Sequence, residues 1–268
     1  MSRHAKARRG LAYSDPAEHT PHFFWRKSTV GAREVFCEGV SLAEVARRFG
    51  TPVYVYSGQA IADAFSEIDA GLGRIPHLAC FAVKANSNLS LLKLLAARGS
   101  GFDIVSGGEL AYLGHIGVPG HRIVFSGVGK SREEIREALR YRVGGGSERG
   151  ILQFNVESLA ELEVLIEEAS RANATPGVSI RVNPDVKAGG HPHIATGQQE
   201  HKFGVAWNQA RKLYLVHRDT KAIRWQGISS HIGSQILDLA PFRKALQRQP
   251  ALFRKQAGGP LMRPAGLE

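Results

Sequence analysis

LACFAVKANSNLSLLKLLAARGSGFDIVSGGEL (78–110) decides the fold. Its opening run, LACFAV (78–83), is apolar and delivers Lys84 at its end. LSLLKLLAARG (89–99) then changes to helical period, with Leu91, Leu94 and Leu95 on one face and Gly99 as the stop. FDIVS (102–106) returns to an apolar, β-branched run. Strand, helix and strand within about 30 residues read as one parallel βαβ unit.

The same alternation continues downstream. RIVFS (122–126), ILQFNV (151–156), VSIRVN (178–183) and GISSH (227–231) read as further buried parallel strands. Ser131 with Glu134, and Ser158 with Glu161, have the Ser-x-x-Glu spacing of a capping box and place helix starts between them. Such alternation fits either a (β/α) barrel or an open doubly wound sheet. Polar residues gather where the strands finish: Lys84, Ser106, Asn183 and the run from His231 to Ser234. In a barrel these positions share the C-terminal mouth, where active sites of that architecture form. VKAGGHPHIATGQQEHKFG (186–204), with four glycines and three histidines, has the length of a lid or binding loop.

Composition narrows the function classes. A chain of 268 residues, 43% hydrophobic and 22% charged, can bury a sizeable core and is not of disordered type. No apolar run approaches the roughly 20 residues of a membrane span, and the N-terminus lacks the apolar centre of a signal peptide, so a cytoplasmic protein is expected. Cys37 and Cys80 are too few for a disulfide framework or a zinc cluster, and no metal site is expected. Cys80, inside LACFAV, reads as a packing residue.

The net charge of +11 raises the question of nucleic acid. It is concentrated at the ends: residues 1–27 carry six basic against two acidic residues, and residues 238–268 again six against two. The long middle is nearly balanced. A solvated tail explains the pattern better than a nucleic-acid-binding arm, although an arm that touches RNA is the competing reading.

A lysine delivered by an apolar strand to a barrel mouth can present its amine to an aldehyde, as an imine-forming cofactor demands. A strand-end lysine snorkelling to water satisfies the same position. The surrounding motifs decide between them. FAVKANSN (81–88), GFDIVSGGEL (101–110), RVNPDV (181–186), the HPHIATG to KFG loop and HIGSQ (231–235) occur in this order, preceded by GTPVYVYS (50–57). Together they resemble the diaminopimelate decarboxylase family of pyridoxal-phosphate-dependent enzymes, from about Phe23 to about Leu246.

The resemblance implies a (β/α)8-type barrel holding pyridoxal 5'-phosphate. It further implies that Lys84 holds the cofactor covalently and that the His231 imidazole stacks on its ring. Gly233, Ser234 and the neighbouring amides would bind the phosphate, and Asp103 and Arg181 would pair in the site and orient lysine and cofactor. As isolated residues, Asp103 and Arg181 could equally form a structural ion pair. Ser106, Gly107 and Gly108 would allow close backbone approach, and His191, Thr196 and Lys202 would belong to a mobile lid. The implied reaction is loss of carbon dioxide from meso-diaminopimelate to give L-lysine, the last step of lysine biosynthesis. A homodimer with shared sites is the implied assembly.

Family members continue with a glycine triplet, a Glu-Pro-Gly-Arg segment, a Cys-Glu-Ser segment from the second subunit and a tyrosine near the cofactor. None occurs here. The expected organisation is a basic tail (1–21), a partial barrel of about six of eight strands (22–242), and a divergent tail (243–268). Within that tail Pro250 should interrupt the helix begun at PFRKALQR (241–248), and the family's C-terminal β domain is not expected. A chain truncated in this way should have little or no decarboxylase activity alone. Two readings stay beside the first: a related ornithine, arginine or carboxynorspermidine decarboxylase, and a non-catalytic remnant that binds pyridoxal phosphate.

Overall fold

The computed structural model describes residues 21–27, 31, 33–143, 149–183, 186, 203–233, 236 and 238–254. It divides into two compact units, one ending at Gly73 and one beginning at Arg74.

In the first unit β1 (Phe23–Lys27), β2 (Arg33–Cys37) and β3 (Val40–Ser41) form an antiparallel sheet in that order. Phe24 and Phe36 pair across β1 and β2, and their rings stack 6.2 Å apart. This small sheet was not legible in the sequence, because its strands are short and mostly solvent-facing. Helix α1 (Leu42–Phe49) is capped by Ser41 and helix α2 (Gly58–Leu72) by Ser57, each hydroxyl accepting a backbone N–H of the first turn. The Ser57 hydroxyl also donates to Glu38 Oε1 at 2.6 Å. That bond, with the Gln59 N–H, holds the Glu38 carboxyl below its ordinary range.

In the second unit six strands form a parallel sheet: β4 (Cys80–Ala82), β5 (Gly101–Ile104), β6 (Ile123–Phe125), β7 (Gln153–Val156), β8 (Gly177–Arg181) and β9 (Arg224–Ser229). Every strand lies beside its sequence neighbour. A doubly wound sheet reverses its order part-way, whereas an unreversed order is the winding of a barrel wall. The unit is therefore an incomplete α/β barrel. Helices α3 (Leu89–Ala97), α4 (Gly107–His115), α5 (Arg132–Arg140), α6 (Leu159–Ala172) and α7 (Trp207–His217) make the crossovers, and α8 (Ala240–Arg254) follows β9.

The central strands are buried along nearly their whole length, as strands covered on both faces must be. Phe102, Phe125 and Phe154 are fully buried on three successive strands. Phe125 and Phe154 are register partners with rings stacked at 6.1 Å. Each such side chain contributes roughly 1.5–3 kcal/mol of burial.

Several sequence expectations change in detail. On α3 the fully buried residues are Leu92 and Leu95, with Leu91 and Leu94 only partly covered, so the face is turned by one position. Gly99 does stop that helix, at φ +91°, a conformation that costs a side-chain-bearing residue far more. Ser131 makes both bonds of a capping box with Glu134, but at Ser158 only half the box forms. The Glu161 carboxylate turns instead to the Glu157 N–H and to Lys130. Cys80 is exposed rather than packed, because β4 is an edge strand of the described sheet. Helix α8 runs through Pro250; one lost N–H does not end a helix whose earlier turns are anchored by Ala245, buried with Val186 and Ile232.

Candidate active site at the C-terminal ends of the strands

Lys84 sits in the 3-10 turn Val83–Ala85 that caps β4, with Val83 fully buried and Lys84 exposed. The strand thus anchors the backbone and releases the amine to the mouth of the sheet. Among the described residues no hydrogen bond or ion pair engages the Lys84 ammonium. Asn88 then caps α3 by accepting the Ser90 N–H, which fixes the turn from strand to helix.

Ala82 on β4 is the register partner of Asp103 on β5. Asp103 is 6% exposed, and its Oδ1 accepts the Ser126 hydroxyl at 2.6 Å. Ser126 Oγ in turn accepts the Asn155 amide at 2.9 Å, so one buried polar chain crosses β5, β6 and β7. One residue further along, the Gly127 N–H donates to Glu157 Oε1 at 2.9 Å, and Arg181 Nη1 donates to the same oxygen at 2.7 Å. Both side chains of that ion pair are buried. The expected pairing of Asp103 with Arg181 is not what forms. Arg181 on β8 takes instead the Glu157 carboxylate, one residue past the end of the adjacent β7.

Lys130 braces this layer from outside the sheet. Its buried ammonium donates to the Gly127 carbonyl at 2.6 Å, the Asn155 carbonyl at 2.9 Å and Glu161 Oε1 at 2.8 Å. Burial pushes the Glu161 carboxyl above its ordinary range, with Lys130 pulling the other way. These contacts clamp the β6 and β7 ends to the start of α6. The positions of Gly127 and Glu157, and hence of Arg181, follow from them.

Ser106 caps α4 by accepting the Glu109 N–H, and the Gly107 N–H donates to Glu134 Oε1 at 2.7 Å. Burial disfavours the Glu134 carboxylate, but the N–H groups of Gly107 and Ser131 outweigh it and hold the carboxyl low. The close approach at Gly107 is therefore to Glu134, whose Cγ would lie 3.0 Å from an added Cβ, while at Gly108 a Cβ would make only ordinary contact with Ser106 Oγ at 3.8 Å.

The far end of the long loop returns to Arg181. Phe203 places its ring 5.6 Å from the Arg181 guanidinium carbon, and the Val205 N–H bonds the Arg181 carbonyl. Gly204 between them has φ +87°, and a Cβ there would lie 2.8 Å from that carbonyl oxygen. His191, Thr196, Lys202 and Ser234 lie outside the described residues. His231 is half-buried just after β9, and Gly233 follows at φ +141°. In the sheet order Lys84 and His231 therefore stand at the two outermost strands, with the Asp103 and Arg181 positions between.

Four buried atoms have no hydrogen-bond partner among the described residues: Glu157 Oε2, Arg181 Nε, Ser179 Oγ and Ser229 Oγ. They lie on or just past β7, β8 and β9. Sequence reasoning missed Ser126, Lys130, Asn155, Glu157 and Glu161. The available signal was a polar residue repeating at period two through an apolar strand, as Asn155 and Glu157 do.

The comparisons with known proteins agree with this geometry. The sequence profile of the family described as pyridoxal-dependent decarboxylase, pyridoxal binding domain, matches residues 59–260, and the chain belongs to that family. The match runs past Leu246, where the sequence resemblance was expected to fade. Its relatives in sequence are diaminopimelate decarboxylases: that of Pseudomonas aeruginosa is 46% identical over 225 residues, 84% of this chain and 52% of the relative. The crystal structure of the Helicobacter pylori diaminopimelate decarboxylase complexed with L-lysine superposes with a TM-score of 0.72 at 38% identity, covering 80% of this chain and 52% of that one. A lysine decarboxylase from Selenomonas ruminantium follows at 25% identity and a TM-score of 0.65, over 86% of this chain and 52% of its own. The chain spans about half the length of the relatives it matches.

Proposed function

We propose that this chain is the pyridoxal-phosphate-binding part of a meso-diaminopimelate decarboxylase, forming L-lysine. The observation that carries the reading is the exposed amine of Lys84 at a strand end of an unreversed β/α sheet, beside a buried polar layer; among the described residues the amine, Arg181 Nε and Glu157 Oε2 have no partner. This donor set fits an anionic, aldehyde-bearing ring: an amine to hold the aldehyde, a half-buried imidazole, and a guanidinium fixed by a carboxylate.

Pyridoxal phosphate, when bound, supplies an electron-accepting ring for the bond that loses carbon dioxide. Lys84 Nζ, with no partner among the described residues, would hold the cofactor through its aldehyde. The His231 imidazole would stack on the ring, and the backbone at Gly233, with the Ser234 hydroxyl that the family resemblance implies, would supply donors for the phosphate. Glu157 locks the Arg181 guanidinium by a 2.7 Å bond, so the positive charge near the reacting group is preset rather than recruited. Identity supports the diaminopimelate reading: among solved structures the diaminopimelate decarboxylases stand at 32–38% and the lysine decarboxylase of Selenomonas ruminantium at 25%.

The test loads the chain with pyridoxal phosphate, adds one amino acid, and reduces with borohydride. Meso-diaminopimelate is expected to carry the label away from Lys84 as a reduced adduct, at concentrations where L-ornithine and L-arginine leave it on the protein. Equal displacement by ornithine would defeat the substrate assignment and leave the cofactor assignment standing.

A further inference from the structure

A cavity of about 700 Å³ opens at the N-terminal ends of β7, β8 and β9, the opposite end of the sheet from Lys84. Five arginines line it, Arg140, Arg142, Arg149, Arg171 and Arg224, and among the described residues no aspartate or glutamate does. Helix ends explain part of this. Arg140 and Arg171 lie in the last turns of α5 and α6, where cations offset the helix dipole, and Arg142 follows α5 directly. Arg149 and Arg224 have no such reason: Arg149 precedes β7 and Arg224 begins β9. Two partial negative charges at helix ends do not balance five guanidinium groups.

Two of the arginines are held in place by neighbours. Arg171 bonds Glu167 and Glu168, and the Gln226 amide oxygen accepts from Arg224 Nε at 3.2 Å and Nη2 at 3.1 Å. Arg224 Nη1 is left for the cavity. The guanidinium groups of Arg140, Arg142 and Arg149 make no hydrogen bond or ion pair with any described residue. The floor is drawn tight by Gly177, where an added Cβ would stand 2.4 Å from the Leu152 carbonyl oxygen, and the remaining lining is mostly apolar, from Leu139, Ile151 and Pro176. The volume falls within the range of small-molecule sites and is far too small for a nucleic-acid duplex.

We infer that this arginine-lined cavity binds a compact oligophosphate anion, free or as the phosphate chain of a nucleotide, at a site separate from the amino-acid chemistry. Arg171 is already held by Glu167 and Glu168, but the Arg140, Arg142, Arg149 and Arg224 guanidinium groups are paired with no described carboxylate, and such planar forks are the donors that phosphate oxygens take up.

The probes are sodium tripolyphosphate and ATP, titrated calorimetrically into the full 268-residue chain. Tripolyphosphate is expected to bind saturably at one site, more weakly as salt rises. Arg149→Gln with Arg224→Gln should weaken it at least about tenfold, whereas Lys212→Gln, an exposed charge on α7 outside the cavity, should not. Similar affinities for the two probes would assign the site to the phosphate chain alone, and a tighter ATP would add the apolar wall. Phenylglyoxal modification of the unmutated chain gives a second readout: tripolyphosphate should protect Arg149 and Arg224 in peptide mass spectra. Absence of saturable binding, equal loss in Lys212→Gln, unprotected arginines, or binding to long RNA but not to tripolyphosphate would each overturn the proposal. Borohydride fixation of pyridoxal phosphate on Lys84 should be unchanged by tripolyphosphate; competition there would place the anion at the cofactor site instead and also overturn it.

Discussion

Replacing Glu157 by alanine perturbs the site where its electrostatics are most tightly built. The carboxylate accepts from Arg181 at 2.7 Å and from the Gly127 N–H at 2.9 Å, with both charged side chains buried. Removing one partner of a buried pair strands the other charge, which costs about 3–5 kcal/mol. The Gly127 N–H loses its acceptor as well, and the two losses overlap rather than add. With an m-value of roughly 2 kcal/mol/M in urea, even a ~3 kcal/mol loss moves the unfolding midpoint down by about 1.5 M. The double variant Glu157→Ala with Arg181→Met removes the stranded charge and should recover part of the loss. Urea unfolding followed by circular dichroism on Glu157→Ala, Arg181→Met and the double variant reads the coupling directly. A midpoint shift under about 0.3 M for Glu157→Ala, or a double variant no more stable than the sum of the singles, would refute the claim that Glu157 is what holds Arg181.

Phe154→Ala should cost about 3–5 kcal/mol in the same assay, because the ring is fully buried against Phe125. Glu168 gives a pH signature: hydrogen bonds from Arg136 and Arg132 lower its carboxyl from an ordinary 4.5 to about 2. A depressed folded-state pKa stabilises above the unfolded value and loses that contribution as pH falls, so the unmutated chain should lose stability between about pH 4.5 and about pH 2 more steeply than Glu168→Gln does. Iodoacetamide should alkylate exposed Cys80 well before Cys37, which is buried and whose thiol burial pushes up, the order being read by peptide mass mapping.

Much of this architecture was legible because parallel strands announce themselves as apolar runs at regular spacing. All six such runs are strands, and Gly99 and Ser131 punctuate the helices as their local chemistry requires. Choosing barrel over doubly wound sheet needed the strand order, which periodicity does not encode. Edge position was equally hidden: LACFAV looks like a core strand, yet Cys80 is exposed because only one described neighbour covers β4. The site divides in the same way. Lys84 stood out by type and place and Arg181 only through the family resemblance, while the Glu157 partner and the Lys130 brace depend on which strand ends become neighbours. Pro250 was misjudged because a local rule about proline competed with tertiary anchoring of α8 on Ile232.

The most direct test of the central claim is where pyridoxal phosphate attaches. The purified chain is incubated with the cofactor, reduced with borohydride, digested and mapped by mass spectrometry. A single phosphopyridoxyl modification on Lys84, absent in a folded Lys84→Met variant, is the predicted result. Modification spread over the exposed lysines, or undiminished in Lys84→Met, would contradict the account.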